Sequence, residues 1–156
     1  MPSLEPVDET YFDRAPQRFA RTWSIAHPAE AVWGELVGER PLHWCRGLSI
    51  RWTSARPFGV GTTREAKVLG GALTGQEKFF VWEEGRRYAF YFTTANLPVF
   101  ASLAEDYTVQ PDGVSRCRFT WRVGLTPTAL GRPGAPVNKL LFSGFFRDTA
   151  RYFGAA

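Results

Sequence analysis

The stretch from Pro136 to Phe153 limits most severely what the rest of this chain can fold into. Leu141, Phe145 and Tyr152 recur at helical spacing, and Phe142, Phe146 and Phe153 recur beside them. Together they predict a helix whose apolar arc is wider than a surface helix needs, with Lys139, Ser143, Arg147 and Arg151 as its polar stripe. Pro136 suits the first helical turn, where a missing N–H is no loss, and Gly154 suits the C-terminal cap. Such a helix must be gripped along much of its circumference, so the remaining residues have to supply a concave apolar surface.

The middle of the chain supplies one. Ile50 and Trp52 share a face of a strand from Ser49 to Ser54, and a loop from Arg56 to Gly61 leads into a second strand, Thr62 to Leu69. Gly70-Gly71 reads as a two-residue hairpin turn of the primed type, which needs positive φ. Pairing across it sets Val68 opposite Leu73, Ala66 opposite Gly75 and Arg64 opposite Glu77. The next turn, Gly85-Arg86, predicts Val81 opposite Phe90 and Phe79 opposite Phe92. Both registers gather the same apolar set on one side. An apolar loop, Thr94 to Ser102, leads to a strand with Leu103, Glu105, Tyr107 and Val109 on one face. After a turn at Pro111-Asp112-Gly113, Cys117, Phe119, Trp121 and Val123 continue that face, while Arg116, Arg118, Thr120 and Arg122 point to water.

Upstream, residues 1–16 read as an extended arm. Gln17 to Ala26 alternates as a strand with Phe19, Trp23 and Ile25 inward, although Arg21 falls on the same side. Pro28 and Glu30 open a short helix with Val32, Trp33, Leu36 and Val37 as its apolar face, and a second short helix is expected near Pro41 to Cys45. The fold class is therefore α+β. A curved seven-stranded antiparallel sheet, with two short helices after strand 1, wraps a long C-terminal helix in a single domain spanning residues 17–156. A strongly bent sheet cannot touch a straight helix everywhere, so a gap between them is expected.

Composition narrows the function classes. Aromatic residues make up 15% of the chain, with 13 Phe and 6 Trp, which suits either a bulky core or an apolar hollow. The net charge of +4 comes from scattered residues without a basic stripe, so a nucleic-acid partner is not expected. No segment is apolar for long enough to span a bilayer. Cys45 and Cys117 form no CxxC motif, and a reduced, cytoplasmic protein is expected. His27 and His43 lack Cys or carboxylate neighbours at ligand spacing, so no metal is expected, and Gly59-Val60-Gly61 and Gly70-Gly71 are turns rather than phosphate loops, so no cofactor is expected.

Three charged residues fall on the inward face: Arg64, Glu77 and Glu105. Arg64 and Glu77 sit opposite each other and are expected to form an ion pair, since an uncompensated buried charge costs several kcal/mol. That pair is either an internal bridge without a task or a polar anchor in an apolar pocket, of the kind small-molecule sites use. Glu105 is the best acid–base candidate: among Phe90, Tyr107 and Trp121 and without a cation, desolvation raises its pKa toward neutrality. Tyr107 is placed to donate a hydrogen bond to a ligand, or else is a core tyrosine satisfied by backbone. Trp52, Phe79, Phe90, Phe92, Trp121 and Phe145 complete the expected lining, and Trp44, Trp52, Trp82 and Phe58 are candidates for the rim.

Several stretches together resemble one superfamily. They are the run from Phe19 through His27-Pro28-Ala29-Glu30-Ala31-Val32-Trp33, the Gly61-Thr62-Thr63-Arg64 strand opening, the Val81 to Arg87 hairpin and the C-terminal helix. The superfamily is the START-related one, also called SRPBCC, whose helix-grip fold is shared with the birch-pollen allergen. Within it the chain is most similar to the polyketide cyclase/dehydrase and lipid-transport-like group. The resemblance spans about residues 17–153 and implies a hydrophobic cavity for a lipid, polyketide or other apolar ring compound; it carries over no catalytic set. Three functions follow as alternatives: a binder or carrier of a small hydrophobic ligand, a cyclase or dehydratase using Glu105, or a protein-interaction module without a ligand.

Overall fold

Seven strands pair antiparallel in one sheet, in the order β1-β7-β6-β5-β4-β3-β2. They are β1 (Gln17–Ile25), β2 (Leu48–Trp52), β3 (Thr63–Val68), β4 (Leu73–Glu83), β5 (Arg87–Ala95), β6 (Phe100–Pro111) and β7 (Cys117–Pro127). The computed structural model describes residues 1–155. Helix α1 (Tyr11–Arg14) precedes the sheet, α2 (Ala29–Leu36) follows β1, and α3 (Ala135–Phe153) closes the chain. The α+β helix-grip architecture expected from the sequence is the one present. Residues 41–45 are the exception: they form turns, with Leu42 buried at positive φ, rather than a second short helix. Pro28 is the residue just before α2, and Glu30 makes no capping hydrogen bond there.

The β3–β4 register agrees with the sequence reading: Arg64 pairs with Glu77, Ala66 with Gly75 and Val68 with Leu73. The β4–β5 register does not. Val81 pairs with Ala89 because the turn holds residues 84–86 between the paired Glu83 and Arg87, and a bulge at Phe80 then moves Phe79 opposite Phe90. The bulge sends both Phe80 and Val81 to the convex side, where Phe80 stacks on Phe12 at 6.4 Å. It also returns Trp82 to the concave side, against Tyr88 and Trp33. Gly75 is required here: a Cβ would come within 2.3 Å of the Phe92 ring that packs over it.

Helix α3 is held along one side rather than around a wide arc. Phe142, Phe145, Phe146, Thr149 and Phe153 form its buried stripe, against Phe19, Trp23, Phe119 and Trp121. Tyr152, expected in the buried arc, instead stacks on Trp44 at 4.4 Å near the surface. Val137 and Leu140 in the first turns are 66% and 71% exposed. The helix ends at Gly154, which takes the left-handed conformation expected of the cap.

Residues 1–16 are woven into the domain. Beyond Tyr91, β5 and β6 no longer pair with each other. Pro2 to Glu5 fill the split: Leu4 N donates to Thr93 O at 2.9 Å, Ala95 N to Pro2 O at 3.0 Å and Glu5 N to Ala101 O at 2.8 Å. Leu4 reaches through into the main core. Tyr11 and Phe12 of α1 then cover Ala89 and Ala104 on the convex face. Tyr11 lies so close over β7 that a Cβ at Gly124 would meet its ring at 2.8 Å.

Candidate functional site

Between the concave face and α3 lies a cavity of about 60 Å³. Its walls come from β2 to β7 and from Phe142, Phe145, Leu141 and Asn138 of α3, and they are apolar except for Arg64, Glu77, Glu105, Tyr107 and Asn138. Strand alternation explains the choice: Arg64 on β3, Glu77 on β4 and Glu105 and Tyr107 on β6 all fall in the inward phase.

Arg64 is 0% exposed, and its Nε donates to Glu77 Oε1. Its two terminal nitrogens, Nη1 and Nη2, meet no hydrogen-bond partner in the protein. Four aromatic rings enclose the guanidinium: Phe90 at 4.5 Å, Phe79 at 5.0 Å, Trp52 at 5.2 Å and Tyr88 at 5.6 Å from ring centre to Cζ. Cation–π attraction offsets part of the cost of burying that charge. Burial alone would lower the Arg64 pKa, but the Glu77 carboxylate more than reverses it, so the guanidinium stays charged. Burial pushes Glu77 up, while Arg64 pulls it back. Buried donors are nearly always satisfied, so two orphan nitrogens on one cavity-lining side chain ask for an acceptor from outside the protein.

Glu105 is not reached by that cation; Arg64 is committed to Glu77. Its Oε1 accepts two hydrogen bonds, from the Tyr107 hydroxyl and from Trp121 Nε1, each at 2.8 Å. Burial, with the Glu77 charge adding to it, raises the Glu105 pKa to about 7, against the pull of those two bonds and of Arg64. A carboxyl held there is able to give or take a proton near neutral pH. Tyr107 is raised well above the usual phenol range, by burial first and by the Glu105 charge second. It serves as a hydrogen-bond donor to Glu105, which is neither role foreseen for it.

Of the residues singled out in the sequence, Arg64, Glu77, Glu105, Tyr107, Phe90, Phe92, Trp121 and Phe145 lie together around the cavity. Trp52 and Phe79 do not line it; they stand behind Arg64 as part of its aromatic sheath. Trp44, Trp52, Trp82 and Phe58 do not rim it either: Trp44 packs on Tyr152, and Trp52 stacks on Phe58 at 4.1 Å. Leu103, Leu125 and Phe142 share the inward phases that the sequence reading had identified, whereas Asn138 was missed because it occupies the polar first turns of α3. Cys45 is a buried thiol beside Thr149, with burial pushing its pKa up to about 12, so it is inert at neutral pH. Among the described residues, no group of three His, Cys, Asp or Glu side chains is arranged to hold a metal ion.

One wall of the cavity is shared with a second hollow on the outside of the molecule. Val68, Leu73, Phe100, Asn138 and Leu141 line both the cavity and this outer groove of about 300 Å³. The groove is flanked by the exposed side chains of Leu69, Leu97, Leu130 and Val137.

The family model described as polyketide cyclase / dehydrase and lipid transport matches residues 16–154. An uncharacterised protein of Mycobacterium tuberculosis strain H37Rv is 34% identical over 161 aligned residues, covering 97% of this chain and 93% of the relative. A relative in Mycobacterium bovis matches to the same extent. Among solved structures, a START superfamily protein from Mycobacterium smegmatis superposes with a TM-score of 0.68 at 13% identity, over 86% of this chain and 92% of that one. The Zhui aromatase/cyclase from Streptomyces sp. R1128 gives 0.65 at 15% identity, over 88% and 89%. A major latex-like protein from Panax ginseng gives 0.63 at 16%, over 88% and 97%. At these identities the structural likeness speaks for the fold. Among the described residues no helix is long and apolar enough to cross a membrane.

Proposed function

This chain belongs to the polyketide cyclase/dehydrase and lipid-transport family, and from that premise we propose that it binds an apolar small molecule between the concave sheet and α3. A lipid, a polyketide or an aromatic ring compound suits the walls, with Arg64 as the anchor for an oxygen atom of the ligand. The observation that carries this reading is the fully buried Arg64 with two terminal nitrogens unpaired at the cavity wall. The cavity of about 60 Å³ is well below the roughly 300–1,000 Å³ of ordinary small-molecule sites. Binding therefore requires it to widen. The first turns of α3 and the apolar loop before β6, where Val137, Leu140 and Leu97 are exposed, border the shared wall and are the segments we expect to move. A reducing cytoplasm is the compartment we assign, since both thiols are unpaired.

Native mass spectrometry of the protein purified from its own cell tests the proposal. A retained small molecule, lost in an Arg64→Gln variant, is the expected result. Protein that emerges empty and takes up no apolar compound would overturn it.

A second reading, favoured by the Glu105 pKa near 7, makes the same cavity an active site in which Glu105 moves a proton while Arg64 polarises a carbonyl. Under that reading Glu105→Gln lowers turnover by about 10²–10⁴-fold while the ligand still binds. A carrier with the same substitution shows a modest change in binding and no turnover in either form.

A further inference from the structure

The polar groups of the cavity constrain the ligand beyond its being apolar. Arg64 is the single cation on the wall, and two carboxyl groups, Glu77 and Glu105, share the space with it. Tyr107 and Asn138, the other polar side chains there, bring no charge at neutral pH. Two further cations of the cavity strands, Arg87 on β5 and Arg122 on β7, are turned to the opposite side of the sheet, where both bind Asp106. The site is therefore balanced or already one negative charge in excess before any ligand enters. Its hydrogen-bonding capacity is also lopsided. Arg64 has two nitrogens without acceptors, and the two hydrogen bonds that Glu105 accepts, from Tyr107 and Trp121, both go to Oε1.

Resting on the ligand-binding reading above, we infer that the head group taken by this cavity is uncharged and offers a carbonyl acceptor to Arg64 beside a hydroxyl donor to Glu105. The protein then selects hydroxy-ketones over carboxylic acids of the same skeleton. An anionic carboxylate satisfies Arg64 as an acceptor, but it adds a negative charge to a buried site whose lining holds no second cation and sets that charge beside the Glu105 carboxyl. A hydroxy-ketone meets both needs and adds no charge. A site built to hydrogen-bond a hydroxyl discriminates strongly against ligands that cannot supply it.

Proton uptake is the one route by which an acid can be admitted, and Glu105 is the group that can take the proton. The titratable and charged groups around it are Tyr107 on its own strand, Arg64 on β3, Glu77 on β4, Tyr88 on β5 and Cys45 from the turns after α2. β7 contributes Trp121 and α3 contributes Phe145, neither of which titrates. Glu105 has the only pKa near neutrality in that set.

Isothermal titration calorimetry with two probes tests the inference: a naphthol carrying a meta acetyl group, whose hydroxyl cannot close an internal hydrogen bond onto the carbonyl, and the same naphthol carrying a meta carboxylate. At about pH 8 the ketone is expected to bind at least about tenfold more tightly. By about pH 6, where Glu105 already carries its proton in the free protein, the ratio is expected to shrink, whereas at about pH 8 the acid is expected to take up close to one proton as it binds, read from buffers of different ionisation heat. Glu105→Gln is expected to narrow the ratio at about pH 8. If that variant does not fold, the pH series on the unaltered protein reads the same quantity. An acid that binds as tightly as the ketone at about pH 8, or a ratio indifferent to pH, overturns the inference alone. Failure of both probes to bind overturns the ligand-binding reading and the inference with it.

Discussion

Glu105 and Asp106 are neighbours in the chain, both are buried, and they face opposite sides of β6. On the convex side Asp106 accepts from Arg87 Nε at 3.0 Å and Nη2 at 3.2 Å, and from Arg122. Arg87 continues to Glu9 at 2.7 Å, and the Arg122 guanidinium lies 5.2 Å from the Phe12 ring centre. Each charge there has a partner, and the partners tie α1 and the arm to β5, β6 and β7. On the concave side Arg64 keeps two nitrogens unpaired and Glu105 is pushed toward neutrality. The same residue types, one position apart, make a finished brace on one face and an unfinished polar site on the other. Completeness of hydrogen bonding, rather than burial, is what separates a structural ion cluster from one that awaits a ligand.

Three variants break or sharpen this contrast. The largest effect is expected from Asp106→Ala, which leaves two arginines without their shared acceptor. Urea denaturation should show a loss of about 4 kcal/mol, while ligand affinity of the folded protein is unchanged. A loss in binding at unchanged stability would reverse the roles of the two faces.

The second concerns pH. Glu105 binds its proton more tightly in the folded state, with a pKa of about 7 against a reference of 4.5, so ionising it disfavours the fold. Its contribution to stability is fully present below about pH 4.5 and is lost as pH rises through about 7, a decline of about 3 kcal/mol. Glu105→Gln should remove that decline, so the difference between the two stability curves widens from pH 4.5 to 7 and then levels. Parallel curves would mean that the carboxyl is not desolvated.

The smallest effect is expected when both members of the concave pair are replaced, Arg64→Met with Glu77→Met. Removing a buried pair together, with apolar groups of similar size, is often neutral or stabilising. Stability should stay level or rise by about 1 kcal/mol, whereas ligand retention is lost. A large destabilisation would make that pair a second brace.

Much of the concave side was legible before any coordinates. Period-two alternation and short turns fix which side chains face inward, so Arg64 opposite Glu77, and Glu105 with Tyr107 and Trp121, could be read from residue spacing alone. Phe80 marks where such reading stops. A bulge adds one residue with no signature of its own, so Val81 turns outward and Trp82 inward against simple alternation, while the faces beyond the following turn stay as spaced. Asp106 escaped notice because an acid in the outward phase reads as solvated; its burial depends on Phe12 and Tyr11, which arrive from a distant, proline-containing arm. Tyr152 shows the limit for helices, since helical spacing identifies an apolar residue but not which of its neighbours will cover it.

The placing of Pro2 to Glu5 between β5 and β6 bears on how the molecule is completed. These residues leave the ribosome long before Thr93 and Ala101, yet they have no berth until both have emerged. The nascent chain must therefore carry its opening segment unplaced while most of the sheet is made, and pairings this remote in sequence form slowly.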